Sequence, residues 1–358
     1  MLILGNDDIR QVLTMKMALE ALEGIYRDLA KGEADQRRRM DFFIPTERTD
    51  GYYRWSTTEG ASKRLGVLAM RIKSDILFWP GKTEEKYCIK PGTYCGLVIL
   101  VSAQTAEPLA LMQDGILQHM RTGAAAGLGV KYLARNDATN VGILGSGGMA
   151  RSYLQAFSEV RRISRVKVYS PTPENRDRFA AEMSQTLRIP CEAVPRPEMA
   201  CRGTDIVASA TDSTRPTFGA SWLEPGMHLT DVKTEEIDAE TLERCDVKLR
   251  LGGGGGGHGM ADMGTVGQFA EAIIGNAEEK ARIPVIPPRK AASIPPLVDF
   301  LTGRVKGRTD PSQITFFSNG GAQGLQFVAV GARAYELAKT KGLGREIPSD
   351  WLLQNIRD

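Results

Sequence analysis

The stretch Asn140-Val-Gly-Ile-Leu-Gly145-Ser-Gly147-Gly148-Met-Ala150 carries the residue types and spacing that most directly imply chemistry. An apolar run ends in G-x-G-x-x-A, and Arg151-Ser-Tyr-Leu-Gln-Ala-Phe157 then reads as a helix. This strand–turn–helix context is the one a dinucleotide fingerprint requires. Gly145 permits the tight turn, Gly147 lets the backbone approach a pyrophosphate, and Ala150 keeps helix and strand close. Ser146, Gly148 and Met149 complete the turn, where amide groups and the helix dipole favour a phosphate. The next β-run ends Tyr169-Ser170-Pro-Thr172-Pro-Glu174-Asn-Arg176. NAD-type sites place an acid at this strand end to bind the ribose 2′-hydroxyl. Here Ser170 and Thr172 offer hydroxyls to a 2′-phosphate, and Arg176 or Arg178 offers countercharge. The expectation is NADP(H), with NAD(H) as the alternative if Glu174 reaches the ribose.

These groups need a scaffold, and the chain supplies two textures. Ile9, Val12, Met15, Met17, Ala18, Leu22, Ile25 and Leu29 recur at helical spacing, predicting one helix from Asp8 to about Lys31, stopped by Gly32. From Phe42 to Ala106 short β-like runs follow, among them Gly51–Trp55, Gly66–Lys73 and Cys95–Val101, with a Pro/Gly-punctuated loop over Phe78–Gly92. Gln113–Ala134 reads as a helix. From Asn140 the β and α segments alternate: strands at Arg165–Ser170, Asp205–Ala210 (followed by Thr211) and Gly226–Asp231, and a helix at Glu174–Thr186. Such alternation predicts an α/β fold with a Rossmann-type, doubly wound parallel sheet. The run Gly252–Gly257, followed by His258, is costly to order and is expected to be mobile near the cleft. A last helix, about Gly321–Lys341, is expected to pack back on the first domain. The predicted division is 1–134 with 318–358 as an α+β domain built from both chain ends, and 135–317 as the dinucleotide domain.

Composition narrows the classes. The chain has 358 residues, 42% hydrophobic and 25% charged, with a net charge of +3. That charge is too small to imply nucleic acid, and the Arg37-Arg38-Arg39 cluster lacks interleaved aromatics; it reads as a solvated turn or an anion contact. No run approaches the roughly 20 apolar residues of a membrane span, and the first residues lack a signal-peptide pattern. Five scattered cysteines and three dispersed histidines show no metal-ligand spacing and no disulfide framework. The expectation is a cytoplasmic protein without a metal.

With the fingerprint preceded by Met120-Arg-Thr-Gly-Ala-Ala-Ala126, the chain resembles the ornithine cyclodeaminase/μ-crystallin family. Two further pieces carry the likeness: Gly96–Met112, similar to the strand pair before the Arg-Thr helix, and Ile314-Thr-Phe-Phe-Ser-Asn-Gly-Gly-Ala322, similar to a Phe-Ser-Gly-Ala strand end. The resemblance implies a homodimer through the first domain. It also implies oxidation or reduction at a carbon bearing an amino or imino group beside a carboxylate.

Carried over residue by residue, Arg121 matches the carboxylate-binding arginine; a guanidinium forms a bidentate pair with a carboxylate. Lys73 matches the active-site lysine, suited to protonation or orientation of an imine, with Arg71 as its competitor on the same face. Arg54 and Glu59 lie where other substrate contacts fall. Asp231 lies where cyclodeaminases have an aspartate, but the compressed sequence after it leaves a helix N-cap equally open. Thr122, Ala210, Thr211, Ser318 and Asn319 are the remaining implied cofactor contacts, although Asn319 and the extra glycine depart from the usual spacing. The activity implied is NAD(P)H-dependent reduction of an α-imino acid, or the reverse oxidation of an amino acid. The alternatives are a cyclodeaminase and a non-catalytic crystallin-like binder of NADP.

Overall fold

The computed structural model describes residues 1–37, 39–48, 50–80, 84–252, 269–283, 294–320 and 323–356. Arg38, Gly253–Gly257, His258, Gly321 and Ala322 lie outside the described residues, and with them most of the glycine run. Two compact units emerge: Met1–Arg121 with Gly254–Pro288 and Ala322–Asp358, and Thr122–Gly253 with Arg289–Gly321. The border therefore falls at Arg121/Thr122, not at 134. The reason is packing: the second half of the helix Asp114–Leu133 gives Ala126 and Val130 to the core of the parallel sheet. Strand Phe269–Ile273 belongs with the first unit because it pairs in parallel with Arg39–Pro45.

In the first unit a ten-stranded sheet runs, in spatial order, Phe269–Ile273, Arg39–Pro45, Gly51–Ser62, Val67–Phe78, Cys95–Ser102, Pro108–Gln113, Leu2–Leu4 and Arg345–Glu346, with Ala34–Gln36 and Glu85–Tyr87 on side branches. The two long central strands pair antiparallel without a register shift, setting Arg54 opposite Asp75, Ser56 opposite Lys73 and Thr58 opposite Arg71. Because side chains alternate along a strand, these six residues share one face. Helix Gly324–Lys341 packs on this pair and on helix Met15–Ala30. Its first turn approaches so closely that a Cβ on Gly324 would overlap the Glu59 carbonyl, and one on Gly60 would lie 2.7 Å from the Gly324 backbone. Glycine at both positions is what allows the contact.

The single N-terminal helix expected from periodicity is two, Asn6–Val12 and Met15–Ala30. Thr14 breaks it by accepting a hydrogen bond from Met17 N at 3.3 Å, an N-cap inside an otherwise continuous apolar stripe. The C-terminal helix packs on the first unit, as expected once the parallel sheet is complete without it.

In the second unit a seven-stranded, all-parallel sheet runs Cys191–Ala193, Arg165–Tyr169, Asn140–Leu144, Ile206–Ser209, His228–Asp231, Thr315–Ser318 and Val247–Arg250. One core cluster joins helix residues Ala150, Tyr153, Leu154, Phe157, Phe179 and Met183 to sheet residues Val141, Ile143 and Val166. A second cluster, with Leu144, Val207, Leu229 and Phe316, fills the opposite face. Strand order reverses between Asn140–Leu144 and Ile206–Ser209. In open α/β sheets that reversal marks the crevice where ligands bind.

Candidate active site

The glycine turn sits at this switch point. Gly145 has φ +107, and a Cβ there would overlap the Ala210 carbonyl, so the two strand ends meet only because residue 145 is glycine. A Cβ on Gly147 would meet nothing, so the backbone there faces open space. Gly147 is the N-cap of helix Gly148–Val160, whose Ala150 is buried against the sheet. Arg151 Nη1 donates to the Ser146 carbonyl at 2.6 Å, fixing the turn from behind.

At the second strand end Ser146 Oγ lies 3.0 Å from Ser170 Oγ, and Ser170 Oγ donates to the Thr172 carbonyl at 3.3 Å. Arg176 Nη1 donates to the Ser170 carbonyl at 3.1 Å, which brings its guanidinium to the loop that follows the strand. Arg178 turns instead to Asn175. Thr172 is exposed and caps helix Pro173–Leu187 through its backbone alone. Glycine backbone facing open space, a helix start and the hydroxyls clustered at the second strand end fit a dinucleotide's phosphates and ribose.

Thr211 is held by a residue the sequence did not single out. Glu236, fully buried, accepts from Thr211 N at 2.7 Å and Thr211 Oγ1 at 2.6 Å with one oxygen, and from Val232 N and Lys233 N at 2.9 Å with the other. One carboxylate thus ties together the loops following two neighbouring strands. Nothing local distinguishes Glu236 from Glu235 beside it; only the folded loop does.

Asp231 is not a helix N-cap. That role falls to Asp238, whose carboxylate accepts from Thr241 N. Asp231 ends the strand His228–Asp231, fully buried, and its Oδ1 accepts from Asn319 N at 3.0 Å while Oδ2 accepts from Ser318 Oγ at 3.4 Å. Asn319 in turn donates from Nδ2 to the Thr122 carbonyl at 2.9 Å and to Tyr153 Oη at 2.7 Å. Tyr153 Oη donates to the Asp231 carbonyl at 2.9 Å. Thr122, Asp231, Ser318 and Asn319 are therefore one buried network.

The first unit holds a separate charged cluster. Lys73 Nζ lies 2.5 Å from Asp75 Oδ2, and Arg54 Nη2 donates to the same oxygen at 2.9 Å. Arg54 is buried, Asp75 is only 1% exposed, and the Lys73 side chain is 11% exposed. Burial draws the Lys73 amine well below its ordinary value, helped by Arg54 and Lys86 and opposed by Asp75. Burial pushes the Asp75 carboxyl up, but Lys73 and Arg54 outweigh it and hold it below the usual range. Arg71, the competitor of Lys73 on the same face, is taken by Asp114, with Nη2 at 2.5 Å from Oδ2. Asp114 sits directly over Gly96, where any Cβ would overlap its carboxyl.

Arg121 is buried at 3% exposure. Its Nη1 donates to Gln326 Oε1 at 3.0 Å, its Nε to Gln118 Oε1 at 3.2 Å and its Nη2 to Gln323 Oε1 at 3.3 Å. These acceptors are neutral and orient the guanidinium. Glu59 does not join the cluster: the unshifted register puts it on the face opposite Arg54, 4.0 Å from Arg37 Nε. Asp75 was legible, two residues beyond Lys73 and so on its face; Asp114 was not, because its place depends on the hairpin from Cys95 to Gln113.

A parallel sheet with a glycine turn at its switch point and a helix start beyond it defines a Rossmann-type dinucleotide-binding fold. A family model described as "Ornithine cyclodeaminase/mu-crystallin family" matches residues 2–341, and the chain belongs to that family. It is 27% identical to an uncharacterized cyclodeaminase of Sinorhizobium fredii over 96% of this chain and 98% of that one. It is 28% identical to a Δ1-pyrroline-2-carboxylate reductase of Bacillus cereus, covering 97% and 99%. A Thermococcus litoralis Δ1-pyrroline-2-carboxylate reductase, solved with NADH and L-proline, is similar at a TM-score of 0.75 and 27% identity, covering 97% and 100%. Among the described residues no helix is long and apolar enough to cross a membrane.

Proposed function

We propose that this chain is an NAD(P)H-dependent oxidoreductase that reduces an α-imino acid to an α-amino acid, or runs the reverse oxidation. The observation that carries this reading is Lys73, a buried amine set against Asp75 and Arg54 with its affinity for a proton drawn down. A lysine whose affinity for a proton is lowered gives its proton up more readily to a substrate nitrogen. Arg121, oriented by amide oxygens, binds the substrate carboxylate in bidentate fashion. Arg54 and Asp75 hold Lys73 in place and keep its surroundings charged. When bound, the nicotinamide supplies or accepts the hydride. The residues that hold the dinucleotide are the Gly145–Ala150 turn for the phosphates, Ser170, Thr172 and Arg176 for the adenosine ribose, and the loop at Ala210 and Thr211. Ser170 in place of an acid, with Arg176 beside it, supports NADP(H) over NAD(H).

The outward face of the first unit's sheet supports a homodimer. Met40, Phe42 and Ile44 alternate along one strand and remain 37–40% exposed. An apolar stripe of this kind suits burial against a second copy.

The test is to offer the protein cyclic imino acids, and keto acids with ammonia or amines, alongside NADPH or NADH. Turnover is read from the near-ultraviolet absorbance of the reduced nicotinamide. Net consumption with a cyclic or open-chain imine supports the reductase. Ammonia release from a diamino acid with no net change in dinucleotide sinks it in favour of a cyclodeaminase, the reading that the Sinorhizobium fredii relative favours. Unchanged turnover in Lys73→Ala and Arg121→Ala overturns the assignment of the site.

A further inference from the structure

Resting on the dinucleotide reading above, we propose that Asn319 Oδ1 is the acceptor for the amino group of the nicotinamide carboxamide. The orientation of this side chain is determined by its neighbours. Its Nδ2 faces the Thr122 carbonyl at 2.9 Å, which can only accept, and Tyr153 Oη at 2.7 Å, whose own proton goes to the Asp231 carbonyl. Turning the amide over would set Oδ1 against the Thr122 carbonyl, acceptor against acceptor. Oδ1 is therefore forced to the other side, where it is buried and has no hydrogen-bond partner, on a residue only 4% exposed.

A buried amide oxygen left unpaired costs free energy unless a ligand or water satisfies it. Its location points to which ligand. Asn319 follows the carboxyl end of strand Thr315–Ser318, beside the carboxyl end of His228–Asp231. That edge of a parallel sheet is where ligands lie. The glycine turn and Ser170 lie on the other side of the switch point, which leaves the Asn319 side for the nicotinamide half. A carboxamide presents an N–H donor; a lone acceptor locked opposite it also fixes which face of the ring is offered, since the carboxamide cannot turn over without losing the bond. Asp231 and Tyr153 act here as positioning residues that hold Asn319.

The experiment compares binding of four ligands to the full chain, by quenching of tryptophan fluorescence or calorimetry. These are the nicotinamide dinucleotide, its 3-acetylpyridine analogue (methyl in place of the amino group), its thionicotinamide analogue (amino group kept) and ADP-ribose. The wild type is expected to bind the 3-acetylpyridine form about tenfold more weakly than the nicotinamide form, and the thionicotinamide form nearly as well. In Asn319→Ala that discrimination falls to near unity, while ADP-ribose binds as in the wild type. Equal affinity of the wild type for the nicotinamide and 3-acetylpyridine forms overturns the assignment, as does discrimination surviving in Asn319→Ala. Should the variant not fold, the wild-type series decides alone. Failure of ADP-ribose itself to bind overturns the dinucleotide reading as well, and so separates the two.

Discussion

Lys73→Met tests the electrostatics of the charged cluster independently of any substrate. Methionine keeps much of the length and removes the titrating amine. In the folded chain burial holds Lys73 well below its ordinary value, with Asp75 only partly compensating. The unfolded chain restores the ordinary lysine value of about 10.5. Between the depressed folded value and the ordinary one the unfolded state binds one more proton, so wild-type stability rises with pH in that window. The slope contributed by one such proton is about 1.4 kcal/mol per pH unit, levelling off near the ordinary lysine value. Asp75, held below the usual carboxylate range, contributes its own stability above that range and loses it only in acid. It therefore does not blur the alkaline window. The assay is urea unfolding, followed by tryptophan fluorescence, at steps from neutral pH to about 10. The three cysteines whose burial pushes them up to about 12 titrate in both proteins and cancel in the difference. The stability of Lys73→Met relative to wild type should fall steadily as pH rises. Parallel curves for the two proteins would refute the claim that burial lowers the affinity of Lys73 for its proton.

Two further outcomes are expected. Gly145→Ala forces a side chain onto positive φ and into the Ala210 carbonyl, so it should cost roughly 2–4 kcal/mol of stability, read by urea unfolding. Any folded fraction should bind dinucleotide at least tenfold more weakly, measured by titration. Glu236→Gln keeps the shape but places an amide donor against backbone N–H groups. A loss of about 2–3 kcal/mol in the same unfolding assay is expected.

How far the sequence could be read depended on the range of the interactions. The parallel sheet was legible because each βα unit is a local pattern, and the turn at Gly145 is set by its neighbours in the chain. The long strand Gly51–Ser62 was glimpsed only in its first five residues, since Thr57, Thr58 and Ser62 look polar until their cross-strand partners are known. The single helix assigned up to Lys31 missed Thr14, whose hydroxyl competes for the backbone without disturbing the apolar period. The candidate site divides the same way. Lys73 and Asp75 share a face by strand alternation alone, whereas the capture of Arg71 by Asp114 and the clamp formed by Glu236 depend on long-range packing. Glu59, five residues from Arg54, falls on the opposite face by the same alternation.

The close approach of Gly60 and Gly324 sets an order of events during synthesis. The segment up to Arg121 leaves the ribosome before the second unit, with the inner face of its longest strands uncovered. The helix that covers it, with Leu325, Phe327, Val328 and Val330 buried, is made only after nearly all of the second unit. The second unit is almost contiguous in the chain and can close while the first waits. The first third of the chain thus spends most of translation as an unfinished sheet in need of shelter, and its completion reports that the last helix has arrived.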